Sequence, residues 1–535
     1  MKNFSLCKII VSLSFFICSS NVYSKYLPWP MLMSDAQRTG EFHPTIGERG
    51  TMDTVSIKWT RAVSTLASAT IGNIDTDNGV EVVVGGTDSR LYALRGADGT
   101  IKWNRTLNAS LYSSTPTLGD IDGDSAIEIV VGTLSGTVYA VSGNLGTIKW
   151  SNTVASELAA SPVIGDVDGN ASTVEIVICS KTSTFCLNGA TGSTIWTATT
   201  GTAGCSNEYC SPAIGDIDNT PATTEVIVSS NNMNVYALNG ANGSIKWTCR
   251  TDSGGAMGGT PPYVLFIPSI RDIDGDGITE VMSYKYFGVF VINGLTGVIK
   301  WGYVNPGCPS SLGANAGVAT GDIDNDGRYE VLFHYHGINA LDENTGASLW
   351  SYAFPSDQTV HSNPILVDLD GDASLEVVGA NHKGYVACLE GDGSLKWDLV
   401  ASSNDIHPTH AVGDIDGDGC LEIVGCVNNG PVYAIESNCP TPVEESQLSA
   451  KGNKLTVLQN KNNISVLLST DKTCDVSISI FDISGKKVSS MDMGRLLKAG
   501  SYSANLNTNK FNSGIYFVRA NLGEKSLSQK IVIIK

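Results

Sequence analysis

Short apolar runs separated by polar turns follow one another along most of the chain. Residues 225–247 show the pattern: the run Glu225–Val228 leads to a polar tip, then come Val235–Leu238, an Asn-Gly turn and Ile245–Trp247. Short runs rich in β-branched and aromatic residues are typical of strands, and glycine and asparagine between them are typical of tight turns. Glycine supplies 57 residues and charged residues only 16% of the chain. The pattern therefore predicts an all-β fold.

An acidic segment that recurs eight times is the strongest regularity of the sequence. Its clearest copy is Asp272–Glu280, which reads Asp-Ile-Asp-Gly-Asp-Gly-Ile-Thr-Glu. Successive copies lie 46 to 56 residues apart, a spacing that suits four-stranded blades. The copies begin at Asn73, Asp120, Asp166, Asp216, Asp272, Asp322, Asp368 and Asp414. They predict an eight-bladed β-propeller over residues 25–438.

A tryptophan strand, Ile-Lys-Trp in its best copies, ends each repeat. Its tryptophans are Trp59, Trp103, Trp150, Trp196, Trp247, Trp301, Trp350 and Trp397. The last repeat ends at Val432–Ile435 without such a strand, whereas Ile57–Trp59 stands in front of the first repeat. We therefore predict that the strand of Trp59 pairs with the strand around Tyr433 and closes the ring, because closure leaves no open sheet edge.

Two family resemblances rest on these repeats. The Tyr-Ala-Leu-Asn-Gly and Ile-Lys-Trp segments, together with Trp29–Met31 and Asp35–Gly40, resemble propellers of the pyrroloquinoline-quinone-like (PQQ-like) repeat family. The acidic segment resembles the calcium loop of FG-GAP (VCBS-type) repeats in integrin-type propellers. Both resemblances imply a propeller, and the second implies bound Ca²⁺.

The C-terminal part has a different pattern. A polar linker, residues 439–454, precedes alternating strands such as Val476–Ile480 in residues 455–535. The segments Phe481–Val488, Gly514–Val518 and Lys530–Lys535 resemble the C-terminal sorting domain of the type IX secretion system. That resemblance implies contact with the secretion machinery and a secreted or cell-surface location. The alternative is an ordinary small β-sandwich.

The N-terminus carries the features of an export signal. Lys2 and Lys8 accompany the apolar run Ile9–Cys18, and small residues lie near Ser24, so we assign residues 1–24 to a signal peptide. No later stretch is apolar for long enough to span a membrane, and none is expected to do so. The formal net charge of -19 argues against nucleic acid as a partner.

The acidic segments have the spacing of a calcium loop. Calcium takes six or more oxygen ligands, and a tight loop presents carboxylates from alternate residues plus a backbone carbonyl. In the clearest copy, Asp272, Asp274 and Asp276 would be the first ligands, Ile278 would offer its carbonyl, and Glu280 would complete the shell. The copies that match fully or nearly so are Asp322/Asp324/Asp326/Glu330, Asp414/Asp416/Asp418/Glu422, Asp120/Asp122/Asp124/Glu128, Asp368/Asp370/Asp372/Glu376 and Asn73/Asp75/Asp77/Glu81.

Two copies depart from the loop pattern. Asp166/Asp168/Asn170/Glu175 and Asp216/Asp218/Glu225 carry an inserted residue, and Thr220 replaces the third ligand of the second. These two are the weakest metal candidates. The alternative for every loop is Asx-turn chemistry without metal. Several carboxylates packed together without a cation repel one another, which favours the calcium interpretation for the better loops.

The face opposite the acidic loops carries the irregular connections, which is a common way to build a binding site. Histidines recur there at equivalent positions of neighbouring blades, since His361 and His407 precede their loops and His336 and His382 follow theirs. With Tyr209 they form a candidate patch for a substrate or a transition metal. The alternative is that they are solvated loop residues inherited with the repeat.

Thirteen cysteines include two in the signal peptide. Cys205 and Cys210 share one short loop and are the best disulfide candidates, and Cys179 and Cys186 are a second pair that a hairpin could bring together. No cysteine spacing indicates a zinc knuckle.

The pattern favours a secreted or cell-surface binding module for a glycan or protein, using the face opposite the acidic loops. The alternative is a polysaccharide lyase, in which a histidine with Tyr209 and Arg271 abstracts a proton beside a uronate. The chain lacks the adjacent cysteine pair found in quinone-dependent alcohol dehydrogenases, so quinone binding is not expected.

Overall fold

The computed structural model divides the chain into two compact units, Met1–Cys439 and Pro440–Lys535. In the first unit it describes residues 29–42, 55–75, 77, 79–170, 172–201, 211–220, 223–230, 232–251, 267–285, 288–304, 317–355, 362–370, 372 and 374–437. In the second it describes residues 454–459, 463–470, 474–482, 486–497, 500–507, 514–522 and 525–533. The signal peptide and linker lie outside these residues.

The described part of the first unit contains a short strand, a closing strand and eight blades of strands. The first two are β1 (Glu41–Phe42) and β2 (Val55–Thr65). Blades 1 to 4 are β3 (Thr70–Gly72), β4 (Glu81–Gly85), β5 (Arg90–Arg95), β6 (Ile101–Thr106); β7 (Thr117–Gly119), β8 (Glu128–Gly132), β9 (Thr137–Ser142), β10 (Ile148–Thr153); β11 (Val163–Gly165), β12 (Glu175–Cys179), β13 (Ser183–Asn188), β14 (Thr194–Thr199); and β15 (Ala213–Gly215), β16 (Glu225–Ser229), β17 (Asn234–Asn239), β18 (Ile245–Arg250).

Blades 5 to 8 continue in the same order. They are β19 (Ser269–Arg271), β20 (Glu280–Lys285), β21 (Gly288–Asn293), β22 (Ile299–Val304); β23 (Val318–Gly321), β24 (Glu330–His334), β25 (Ile338–Leu341), β26 (Ser348–Tyr352); β27 (Ile365–Val367), β28 (Glu376–Ala380), β29 (Tyr385–Leu389), β30 (Leu395–Val400); and β31 (Ala411–Gly413), β32 (Glu422–Cys426), β33 (Gly430–Ser437). Each blade is an antiparallel sheet in sequence order, and β2 completes the eighth in the order β2-β33-β32-β31.

The eight-bladed fold predicted from the repeat is confirmed. The ring closes through the two ends of the propeller, because Trp59 pairs with Ala434 and Thr60 with Tyr433. The first strands of neighbouring blades lie side by side around the axis. Second strands such as β4 and β8 are buried along their whole length, whereas fourth strands such as β6 contain only partly buried and exposed positions. The apolar runs therefore form the inner strands and the Ile-Lys-Trp segments form the rim.

A β-bulge recurs in the fourth strand of each blade, at the residue before the tryptophan. In blade 2, Ile148 pairs with Val141 and Trp150 with Ala140, so that Lys149 falls outside the register. The same shift occurs beside Trp103, Trp247, Trp397 and the other rim tryptophans. A bulge re-aims a side chain. We call this position the bulge residue.

The rim tryptophans connect successive blades. Trp59 Nε1 donates to the Gly96 carbonyl at 2.6 Å, and its ring lies against Gly99, where an added Cβ would come within 2.6 Å of the ring. Equivalent bonds join Trp103 to Gly143, Trp150 to Gly189, Trp196 to Gly240, Trp247 to Gly294, Trp301 to Glu343 and Trp350 to Gly391. Trp397 faces blade 8, where the two chain ends meet, and its buried Nε1 has no partner among the described residues.

The residues before the first blade fill the centre of the ring. We call Trp29–Phe42 the axial segment. Its backbone bonds to first strands on opposite sides of the ring, through Trp29 to Ile71 in blade 1, Gln37 to Ile270 in blade 5 and Gly40 to Leu366 in blade 7. Strand β1 then pairs in parallel with β27. Because so many blades bond to it, the axial segment is part of the propeller core.

Arg38 is the central polar residue of the axial segment. Its side chain is fully buried and donates to the carbonyls of Pro212 at 3.1 Å and Pro162 at 3.0 Å, and also to that of Leu32. Burial, partly offset by the Asp35 carboxylate, lowers the pKa of Arg38 to about 10, so the guanidinium stays charged at neutral pH. One arginine therefore ties blades 3 and 4 to the axis.

The second unit is a small all-β domain of two sheets within its described residues. One sheet has the order β34-β35-β38 and the other the order β37-β36-β39-β40. The strands are β34 (Lys454–Gln459), β35 (Asn463–Thr470), β36 (Cys474–Asp482), β37 (Lys487–Leu497), β38 (Gly500–Asn507), β39 (Gly514–Leu522) and β40 (Lys525–Ile533). Ile478, Ile480, Val518 and Ala520 are buried on one side of the central pair β36 and β39.

Candidate functional site

The strand order places chemically different groups on two faces of the ring. Each acidic segment connects the first strand of a blade to the second, as residues 272–279 connect β19 to β20. The connections between second and third strands and those between blades lie at the other ends of the strands. We call the first surface the loop face and the second the tip face.

The acidic loops share one hydrogen-bond pattern. In every blade, the glutamate that begins the second strand accepts a backbone N–H from the second loop residue, as Glu280 Oε2 does from Ile273 at 3.2 Å. Within the clearest loop, Asp272 accepts backbone N–H groups from Gly275 and Gly277, and Asp276 accepts that of Ile278. The Asx turns considered from sequence are therefore present, and each closing glutamate keeps its second oxygen for another partner.

That second partner is a lysine in most blades. In blade 5 the bulge residue Lys300 places its Nζ 2.6 Å from Asp274 and 3.0 Å from Glu280. The corresponding ion pairs join Lys102 to Asp75, Asp77 and Glu81; Lys149 to Asp122, Asp124 and Glu128; Lys246 to Asp218 and Glu225; Lys396 to Asp370 and Glu376; and Lys58 to Asp416. These loops therefore already contain one cationic group.

The third aspartate of the loops does not take the same position in every blade. Asp124 and Asp276 lie 3.1 and 3.4 Å from the bulge lysine of their own blade. No ion pair joins Asp326, Asp372 or Asp418 to a bulge residue among the described residues, and the ligand role that the sequence pattern predicts for them stays a prediction. Each accepts the backbone N–H two residues later, at 2.9, 2.7 and 2.8 Å respectively.

The bulge residue accounts for this difference, and the Asx turn does not, since Asp124 and Asp276 also accept the backbone N–H two residues later, at 2.8 and 2.7 Å. In blade 6 the bulge residue is Leu349, which carries no charge. In blades 7 and 8 the bulge lysine contacts a further acid outside the loop, at 3.0 and 2.7 Å.

Two loops lack the bulge lysine. The bulge residue is Ile195 in blade 3 and Leu349 in blade 6, and their side chains are 45% and 48% exposed instead of turned into the loop. In blade 3, Glu175 is fully buried and its Oε1 has no hydrogen-bond partner in the described residues. In blade 6, burial first and the nearby Asp324 next raise the pKa of Glu330 to about 8, against a backbone hydrogen bond from Ile323 that lowers it.

The lysine-free loops fit a hard divalent cation. Asp166, Asp168 and Glu175 each place a carboxylate oxygen within 4.8 Å of the others, and Glu175 also has the buried Oε1 for which the described residues supply no hydrogen-bond partner. Oxygen donors gathered at this spacing suit Ca²⁺, which would supply the charge that lysine supplies elsewhere. Sequence analysis placed the loop at Asp166 among the weakest metal candidates; it considered the residues of the loop itself and did not include the bulge residue.

On the tip face, one polar cluster combines histidine and aspartate. His382 lies in the turn between β28 and β29, and Asp405 and His407 lie in the connection between β30 and β31. The Nε2 atoms of His382 and His407 are 3.5 and 2.5 Å from Asp405 oxygens, and the two rings have their centroids 5.0 Å apart. Burial raises the pKa of Asp405, but the hydrogen bond to His407 and the charges of both histidines give a net lowering.

The other members of the proposed histidine patch are not brought into this cluster. His336 lies in the turn between β24 and β25 of blade 6, and its ring contacts Tyr335 edge-on at 4.4 Å. His361 and Tyr209 lie outside the described residues. Arg271 is on the loop face, where it pairs with Glu41 and its guanidinium lies 3.6 Å from the centre of the Tyr329 ring. Within the part of the chain that the structure describes, Arg271 is therefore not brought together with the tip-face histidines.

The cysteine predictions had mixed outcomes. Cys179 and Cys186 are both free thiols, so their proposed pairing is wrong. The reason is register, because Cys179 lies opposite Thr184 and Cys186 opposite Val177 in the β12–β13 hairpin. Cys205 and Cys210 lie outside the described residues. Cys420 is disulfide-bonded, which sequence reasoning did not single out.

Two further histidines, His334 and His410, are buried in the propeller. His334 Nδ1 faces the Ser362 carbonyl, and His410 Nε2 lies 2.7 Å from the Tyr433 hydroxyl. Burial lowers the pKa of His334 to about 3 and that of His410 to about 4. Both imidazoles are therefore neutral in the folded protein at any pH near neutrality.

These two histidines predict acid sensitivity. Unfolded histidine takes a proton below about pH 6.5, whereas the folded sites stay neutral until about pH 3 to 4, so the unfolded state binds more protons between these values. We expect these two histidines to contribute a fall in the free energy of unfolding as the pH falls from 6.5 towards 4, which appears as the difference in pH slope between the wild type and a histidine variant in urea denaturation. His410→Gln should reduce this slope, whereas His336→Gln, a change at a partly exposed histidine, should leave it as it is. Equal slopes in all three proteins would contradict the prediction.

Two segments of the chain match known family models. Residues 56–263 match the model described as outer membrane protein assembly factor BamB, and residues 459–534 match the secretion system C-terminal sorting domain. No curated protein matches the chain.

Solved structures show the same propeller architecture. BamB from Moraxella catarrhalis superposes with a TM-score of 0.50 at 16% identity, covering 72% of this chain and 100% of that one. A quinohemoprotein alcohol dehydrogenase from Pseudomonas putida HK5 gives 0.55 at 13% identity over 81% of this chain and 83% of that one. A europium-containing methanol dehydrogenase gives 0.57 at 12% identity over 77% and 98%. At these identities the likeness shows the fold alone.

The chain is therefore a β-propeller that contains a BamB-like (PQQ-like) repeat segment, followed by a type IX secretion sorting domain. The sorting domain makes this a protein that is secreted or attached to the outer membrane at the cell surface. Among the described residues there is no helix with the length and apolar character needed to cross a membrane.

Proposed function

We propose that this protein is a calcium-stabilised binding module displayed outside the cell, which recognises a glycan or a protein through the tip face of its propeller. The observation that supports this proposal most strongly is the position of the axial segment. Because Trp29–Phe42 occupies the centre of the ring and bonds to blades on opposite sides, a ligand has to be met by surface loops instead of an axial cavity. The loop face is taken up by acidic turns, which leaves the tip face and its irregular connections.

The mature protein, immobilised through its C-terminal domain, would be tested against arrays of glycans and of surface proteins. We expect saturable retention of one class of ligand. Substitutions at the tip face, for example Lys383→Ala beside His382, should weaken it, whereas Arg328→Ala on the loop face should not. Formation of unsaturated uronate ends, seen by ultraviolet absorbance with acidic polysaccharides, would contradict a purely binding role.

Calcium would act on the loop face as a structural ion. The bulge residue supports an order of affinity among the loops: Lys300 and its equivalents compete with a cation for the same carboxylate oxygens, whereas the loops at Asp166 and Asp322 have no such competitor. In those two loops the aspartates and the closing Glu175 or Glu330 would hold the ion. The remaining loops would take calcium only when their lysine is displaced.

An exchange of bulge residues tests this order. Leu349→Lys should remove one tight calcium equivalent, and Lys300→Leu should add one, because each change makes its loop resemble the other type. For the wild type we expect two tight equivalents by titration calorimetry after chelator treatment. Each site should add about 2.7 kcal/mol to the free energy of unfolding when free calcium is a hundredfold above Kd.

Leu295→Lys is the control, since it adds a lysine at an exposed turn position of the loop face outside the acidic segment. It should leave the number of bound ions unchanged. A wild-type protein whose melting temperature does not respond to calcium, or a Leu349→Lys variant that still binds two ions, would overturn the assignment. Such a result would reject the proposed calcium sites. The binding role of the tip face would still be tested separately by the ligand arrays.

A further inference from the structure

Three metal-ligating side chains converge on the tip face at the junction of blades 7 and 8. The donor atoms of His382, Asp405 and His407 all lie within 4.8 Å of one another. We propose that these three residues form a binding site for a transition metal of the zinc class. The site is separate from the acidic loops, and its test does not depend on the binding role proposed above.

The chemistry of the three donor atoms determines which metal fits the site. Two imidazole nitrogens and one carboxylate suit Zn²⁺ and related late first-row ions, whereas Ca²⁺ and Mg²⁺ prefer an all-oxygen shell. Ligands about 2.0 to 2.2 Å from a tetrahedral zinc are about 3.3 to 3.6 Å from one another. His382 Nε2 is already 3.5 Å from Asp405, while His407 Nε2, at 2.5 Å, would have to move outward by less than 1 Å.

Two segments that pack on each other hold the three ligands. Gly384, in the turn that carries His382, has a φ of 76°, and a Cβ there would come within 2.0 Å of the Ser402 carbonyl, so the turn packs directly on the connection that carries the other two ligands. The Ala401 N–H donates to Gly384 at 2.8 Å across this contact. The ligand-bearing segments are therefore fixed to each other before any metal arrives.

A second layer of contacts orients Asp405. Asn428, from the turn between β32 and β33 of blade 8, donates its backbone N–H to the Asp405 carbonyl at 2.8 Å and its side-chain amide to Asp405 Oδ2 at 3.3 Å. Outer partners of this kind orient carboxylate ligands in metal sites. A metal here would link the tips of two blades across the interface at which Trp397 lacks an inter-blade hydrogen bond within the described residues.

The site would keep an open coordination position. His382, Asp405 and His407 are the protein ligands; their side chains are 27 to 28% exposed, whereas the atoms that face one another, the two Nε2 atoms and Asp405 Oδ1, are buried. Three protein ligands with a fourth position left to water or ligand are typical of exchangeable zinc sites. The open position would let an anionic group of a bound partner coordinate the metal.

Titration calorimetry of the chelator-treated mature protein with zinc chloride tests the proposal, with excess calcium present to occupy the acidic loops. We expect one zinc equivalent in the wild type. His382→Ala and His407→Ala should each weaken zinc binding by at least about tenfold. Asp405→Asn should also weaken zinc binding. Because this change keeps the size of the side chain, the loss could not be attributed to misfolding. His336→Ala is the matched control on the same face and should bind zinc as the wild type does.

Cobalt(II) gives an independent readout, because tetrahedral coordination by nitrogen and oxygen produces intense visible absorption that the His382→Ala and His407→Ala double variant should lose. Absence of a stoichiometric zinc equivalent in the wild type would overturn the proposal. So would zinc binding of unchanged affinity in the double variant, since the ion would then be held elsewhere.

Discussion

Replacing Arg38 by methionine is expected to lower the free energy of unfolding of the propeller by about 3 to 5 kcal/mol. Methionine has a similar length, but it leaves the carbonyls of Leu32, Pro162 and Pro212 buried without their donor. Arg38→Lys should recover only part of the loss, since an ammonium cannot reproduce the planar fork of donors. Urea denaturation followed by tryptophan fluorescence measures the change.

Arg61→Met is the control for this prediction. Arg61 also donates to a backbone carbonyl, that of Gly99, but it lies half-exposed on the rim, where water replaces a lost bond. The expected cost is within about 1 kcal/mol. If Arg38→Met were as mild as Arg61→Met, the axial segment would not be an integral part of the core.

Replacing Trp59 by alanine is the second change with a large expected effect, about 3 to 5 kcal/mol. Trp59 is 8% exposed, its ring packs on Gly99, and its Nε1 bonds to Gly96. It lies in the only strand that joins the two ends of the propeller in the described residues, so its loss weakens both blade 8 and its contact with blade 1. The same denaturation experiment applies, and a loss of cooperativity would show the ring opening first.

A matched pair of conservative changes isolates the hydrogen bond. Trp59→Phe keeps an aromatic ring but leaves the Gly96 carbonyl without its donor, whereas Trp397→Phe removes an Nε1 that has no partner in the described residues. We expect Trp59→Phe to cost about 1 to 2 kcal/mol more than Trp397→Phe. Equal effects would mean that ring packing alone joins the blades.

The eight-bladed scaffold was predictable from the sequence, because the repeat is self-similar and each copy makes the same contacts. The spacing of the acidic segments gave the blade count, and Trp59 without a preceding repeat indicated how the ring closes; both predictions are confirmed. The resemblance of the C-terminal segments to a sorting domain is likewise confirmed, by the match of residues 459–534. Calcium at the loops stays a prediction.

The candidate sites depended on contacts between residues that are distant in sequence. Lys300 looked like part of a tryptophan strand, and only the bulge beside Trp301 shows that its ammonium enters the acidic loop some twenty residues earlier in the chain. Residues Ile195 and Leu349 could have revealed the two exceptional loops from sequence, had the repeats been aligned at this position.

The sequence by itself determined the all-β class, the eight repeats and the ring closure, because short-range periodicity and local turn chemistry recur in every copy. Only the tertiary structure decided that Trp29–Phe42 fills the axis, that lysines neutralise most acidic loops, and that His382 and His407 meet at Asp405 while His336 does not join them. The physical reason is that these contacts depend on how blades are placed around the ring. That placement depends on the strand register, on the bulges and on the path of the non-repeating axial segment. A local sequence pattern does not encode any of these features.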